Sequence, residues 1–121
     1  MSATPVITWF EIPTQNYERA IEFYQNVFNV NLQQEEMEGI SMAVFPHEEM
    51  QTAGAVVKCY QSTPQKDGVV IYLFTTDFDG TVERIEANGG SLVMPKTQIP
   101  AGLIGLFIDS EGNRIGLHSN A

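Results

Sequence analysis

The chain has 121 residues, 43% of them hydrophobic and 17% charged. That length and mixture belong to one compact globular domain with a core of its own and exclude a disordered tail. A formal net charge of −9 disfavours nucleic acid and membrane surfaces as partners, because both present phosphates, and suits a neutral or cationic small molecule where it does more than aid solubility.

Residues 6–12 are apolar and strand-like, opened by Pro5 and closed by Pro13, since a residue without an N–H sits at the margin of a sheet. Asn16 is placed to cap a helix whose first turn carries Glu18. Along it Ala20, Phe23, Tyr24, Val27 and Phe28 recur at helical spacing, which makes one apolar stripe to lay on a sheet. Strands are expected over residues 31–37, 40–45 and 53–60, with a hairpin turn at Glu38-Gly39.

The polar stretch 64–68, with its proline and glycine, is a natural linker. A second strand, 69–75, leads to a helix that Asp79 is expected to cap, with Val82 and Ile85 inward and Gly89-Gly90 at its end. Three more strands are expected at 91–94, 103–108 and 114–118, the last two joined by a turn over 109–113. The order strand, helix, three strands therefore occurs twice. The pattern predicts an α+β fold of two tandem βαβββ modules, residues 1–62 and 63–121, which complete each other as a single domain with a cleft between them.

Cys59 is the one cysteine, so no internal disulfide is available and a reducing compartment is the natural setting. Residues 1–5 lack the basic start and apolar run of a signal peptide, and no segment is long enough to span a membrane, so a cytoplasmic location is expected.

Phe23-Tyr24, Asn88-Gly89-Gly90 and the run Asp109-Ser110-Glu111-Gly112-Asn113-Arg114-Ile115 stand in an order and at intervals that resemble the vicinal oxygen chelate superfamily. This is the group of glyoxalase I, extradiol dioxygenases and bleomycin-resistance proteins, and the closest fit is to small bacterial glyoxalase-like members. The resemblance covers essentially the whole chain. It implies two modules side by side, their curved mixed sheets forming a cup, and often a homodimer. In metal-using members a divalent ion is held from the first and last strands of each module, and those positions here are Trp9, approximately Val56, Val70 and Gly116. None of these side chains donates an electron pair to such a cation. No metal and no other cofactor is therefore expected, and the ion-dependent chemistry of glyoxalase I and of extradiol ring cleavage is expected to be lacking.

Alternation along the strands adds further residues to the cup. Glu11 joins Trp9, Tyr72 and Phe74 join Val70, and Arg114 and His118 join Gly116, with Lys58 near the position that matches His118. Glu11, between Phe10 and Ile12, is the candidate acid or base if burial perturbs it, or else a structural ion pair with Lys58 or Arg114 or a contact between subunits. Trp9 and Tyr72 are candidates to stack on or hydrogen-bond a ligand, or else core aromatics. His118 is a candidate contact or a surface histidine. His47, beside Glu48 and Glu49, lacks the paired spacing of a zinc helix and reads as loop. Cys59 beside Lys58 reads as structural rather than reactive, since neighbours on a strand face opposite ways.

The favoured reading is a metal-free binder of a small planar or cationic organic molecule, with no nucleic-acid or membrane partner. The alternatives are a metal-independent lyase or isomerase using Glu11 on a small carbonyl metabolite, and a module whose partner is another protein.

Overall fold

The first module consists of β1 (Trp9–Pro13), α1 (Tyr17–Phe28), β2 (Gln33–Met37), β3 (Ile40–Val44) and β4 (Ala53–Lys58). The second repeats that order with β5 (Tyr72–Phe74), α2 (Phe78–Ala87), β6 (Ser91–Ile99), β7 (Gly102–Ile108) and β8 (Arg114–Ser119). The structure is a computed structural model that describes residues 6–49, 51–58 and 62–120. Cys59 and residues 1–5 lie outside the described residues. Each module forms its own mixed sheet, ordered β1-β4-β3-β2 and β5-β8-β7-β6. The parallel pairs are β1 with β4 and β5 with β8, so β1 and β5 are edge strands in both copies.

α1 forms where the stripe predicts, with Asn16 Oδ1 accepting from Arg19 N and Ala20, Phe23, Tyr24 and Val27 fully buried. For α2 the cap is Asp77 and not Asp79: the Asp77 carboxylate accepts from Gly80 N at 3.1 Å. Asp79 sits in the first turn and pairs with Lys96 on the surface instead. The two helices pack against each other, with Asn26 Nδ2 donating to Asn88 Oδ1 and Arg84 Nε donating to the carbonyl of Val27. One apolar core runs through both modules, from Ile12, Val56 and α1 to Ile85, Phe107, Ile115 and Leu117.

Several strands differ from expectation. β1 starts at Trp9 and β5 spans three residues, leaving Val6 and Val69 almost fully exposed. β6 is longer than the expected 91–94 and runs on to Ile99. The second of its two register shifts, between Met94 and Thr97, contains Pro95, which has no N–H for the ladder, and an edge strand tolerates this.

The turn over 109–113 does more than join β7 to β8. Glu111 is buried, and its carboxylate accepts from Gln15 N, Asn16 N, Ser110 Oγ and the Arg19 guanidinium, at 2.6–3.2 Å. Burial pushes the Glu111 carboxyl up, but these donors outweigh it and hold it below the usual carboxylate range. Asp109 accepts from Tyr24 Oη at 2.6 Å, and Asn113 Nδ2 donates to the Pro13 carbonyl at 2.8 Å. Burial beside Asp109 pushes the Tyr24 hydroxyl well up, so it stays a donor. This buried polar latch locks the start of α1 and the end of β1 to the second module.

Candidate functional site

One face of each sheet packs on the helices, and the other is open. On β1, Ile12 and Phe10 belong to the core side, so Trp9 and Glu11 project from the open side. Ala55 and Val57 lie on the same side as Trp9 and Glu11, but there they are buried with Met42 and Val44 in a small apolar cluster separate from the main core. Val56, provisionally matched to a metal-ligand position, points the other way into the core. Lys58 has the same parity as Val56 and lies opposite Ser41, so it does not join Trp9 and Glu11. An offset of one residue on a strand reverses the face.

Trp9, Glu11, Met37, Glu38, Ile40 and Met42 line a cavity of about 410 Å³ on the first sheet. Trp9 is 40% exposed, and its Nε1–H donates to Glu11 Oε2 at 3.3 Å. Glu11 itself is exposed, so the burial that would have prepared it as an acid or base is not present. Nor does it enter either of the ion pairs among the described residues, which join Arg19 to Glu111 and Lys96 to Asp79. Met37, Ile40 and Met42 complete a wall that strand alternation on β3 could have flagged from Ile40 and Met42 alone.

On the second sheet Tyr72, Phe74, Arg114, Gly116 and His118 share the open side, because Leu73, Ile115 and Leu117 face the core. The Tyr72 ring lies against Gly116, where a Cβ would come within 2.4 Å of it. Phe74 meets His118 edge to face at 5.7 Å, and His118 Nε2 is 2.9 Å from the Ala101 carbonyl. The aromatic side chains thus do not close into one chamber. Trp9 and Glu11 line the cavity on the first sheet, and Tyr72, Phe74 and His118 stand on the second.

The two faces meet at the seam between β1 and the segment entering β5. There Glu11, Gln65, Val69, Ile71, Asn113 and Arg114 surround a depression of about 50 Å³. Arg114 Nε is shielded from solvent and has no hydrogen-bond partner. His47 stays in its loop, exposed, and contacts the Glu48 carbonyl.

The donor set does not fit a divalent ion. Trp9, Val70 and Gly116 offer no ligand atom in their side chains, and neither do Val56 or its open-side neighbours Ala55 and Val57. Among the described residues no three His, Cys, Asp or Glu side chains converge.

A family model described as the Glyoxalase/Bleomycin resistance protein/Dioxygenase superfamily matches residues 6–117. Among solved structures, TnmS3, an antibiotic binding protein from a Streptomyces species, superposes with a TM-score of 0.74 at 21% identity, over 100% of both chains. A mutant form of glyoxalase I from Zea mays superposes with a TM-score of 0.72 at 19% identity, over 93% of this chain and 45% of the maize chain. The present chain therefore spans about half the length of the maize enzyme. A glyoxalase/bleomycin resistance protein from Albidiferax ferrireducens gives 0.71 at 10% identity, over 97% of this chain and 100% of that one. No curated protein matches the chain. At these identities the likeness is one of fold.

Proposed function

Because the chain belongs to the glyoxalase/bleomycin resistance protein/dioxygenase superfamily and carries no ligand atoms at that family's metal positions, we propose that it is a metal-independent binder of a small organic molecule. The single observation that carries this reading is the cavity of about 410 Å³ with a part-exposed indole, three apolar walls and two carboxylates. An exposed tryptophan beside Met37, Ile40 and Met42 is apolar surface that a planar ligand would cover, and Glu11 and Glu38 favour a ligand with positive charge or hydrogen-bond donors. The antibiotic-binding relative supports the same class. Tyr72, Phe74 and His118 on the second sheet would contact the parts of a larger ligand that extend past the seam.

The enzymatic alternative, with Glu11 as acid or base on a small carbonyl compound, has less support because that carboxylate is exposed. As part of the same proposal the chain acts in the cytoplasm and pairs with a second copy of itself. That pairing is to be tested by sedimentation. The test of binding is Trp9 fluorescence titrated with a panel of planar cations, quinones and keto acids, with substrate loss followed in parallel. Saturable quenching without turnover is the expected result. Turnover that disappears in Glu11→Gln would replace this reading with the enzymatic one, and an emission that responds to no compound would remove both.

A further inference from the structure

Arg114 opens β8 on the open side of the second sheet. Its backbone is held by the N–H donated to the Gln65 carbonyl at 3.3 Å, next to the latch residue Asn113. Yet its Nε has no acceptor although solvent does not reach it, and Arg114 takes part in neither ion pair among the described residues. A shielded guanidinium N–H left unpaired is costly, and native structures rarely tolerate one without a reason. The depression it lines has room for about one or two waters, or for one head group of similar size. Glu11 lines the same depression, accepts from the Trp9 indole at 3.3 Å and is not ion-paired with Arg114.

Resting on the reading of this face as a binding site, we infer that the ligand carries a neutral head group presenting an acceptor and a donor side by side, a primary carboxamide or its equivalent, set between Arg114 and Glu11. A carboxylate would satisfy the guanidinium but face the Glu11 carboxylate, and an ammonium would satisfy Glu11 but face Arg114. An amide offers its C=O to the fork of Arg114 and its NH₂ to Glu11. Glu11 also lines the larger cavity, so an aromatic body attached to this head group passes onto Trp9 and the methionines.

Trp9 is the only tryptophan, so its indole N–H gives one resonance in isotope-labelled protein. Titration of the full chain at neutral pH with naphthamide, naphthoate and naphthylmethylamine should shift that resonance with all three, and naphthamide should bind about tenfold tighter than either charged analogue, the size of one well-made hydrogen bond. Arg114→Met should bring naphthamide down to the level of naphthylmethylamine or below it. Glu11→Gln, a milder change should Arg114→Met fail to fold, should selectively improve naphthoate. Equal affinities for the three compounds, or naphthylmethylamine binding tightest, would overturn the head-group inference while leaving the site in place. A resonance that none of them moves would overturn the site along with it.

Discussion

Replacing Glu111 with glutamine should be among the most destabilising isosteric changes in this chain. The carboxylate accepts from five donors: two backbone N–H groups at the start of α1, two nitrogens of Arg19 and the Ser110 hydroxyl. Glutamine keeps one oxygen and turns the other position into a donor. Whichever way the amide is set, at least two donors then face an NH₂. Hydrogen bonds to a charged group contribute about 1.5–3 kcal/mol each. Arg19 is half exposed and can turn to water, which discounts its share. The net expected loss is about 2–4 kcal/mol, which for a chain of this length lowers Tm by about 8–16 °C. Urea unfolding at neutral pH gives the free energy directly.

The pH dependence gives a second check. The folded Glu111 carboxyl is held below its usual range, so the unfolded chain takes up its proton first as acid is added. The stabilisation from this group is therefore complete above the unfolded value and is lost as pH falls through the folded one. The gap between wild type and E111Q should narrow over that interval. A loss under about 0.5 kcal/mol at neutral pH, the range of ordinary surface substitutions, or a gap that stays constant into strong acid, would refute the latch as described.

Thr81 is fully buried, and its hydroxyl joins the Asp77 carbonyl, Thr75 Oγ and Arg84 Nη2, so Thr81→Val should cost about 1–3 kcal/mol in urea unfolding with little change in shape. Gly116→Ala places a methyl 2.4 Å from the Tyr72 ring. The ring is half exposed and free to turn away, so the expected cost is about 1–2 kcal/mol, with a displaced Tyr72 ring in the NMR spectrum. An unmoved ring would show that Tyr72 does not rest on Gly116. Dialysis against a chelator should leave Tm unchanged, and nickel or zinc should not raise it. An ion present at a hundred times its Kd would contribute about 2.7 kcal/mol, so a fall of several degrees on chelation would overturn the donor-set argument.

What the sequence made legible was local in origin. Helical spacing picked out Ala20, Phe23, Tyr24 and Val27, and strand alternation put Trp9 with Glu11, and Tyr72 with Phe74, because each pattern repeats within a few residues. Alternation failed at Val56 and Lys58 for a physical reason. The segment Ala53–Lys58 is apolar on both faces through Val57, so nothing in it marks which parity faces the core, and its ladders with β1 and β3 decide the matter. The helix caps show the same limit: Asp77 and Asp79 are equally good N-cap residue types, and only the backbone path places Gly80 N within reach of Asp77. Glu111 was the larger omission. Its turn reads as an ordinary hairpin connection, while the groups it binds lie on α1, more than ninety residues earlier. That long-range latch also bears on the site. It ties the module holding Glu11 to the turn that precedes Arg114, so a mutation that loosens it should separate the two head-group contacts and weaken binding at the seam even where Trp9 and its cavity are untouched.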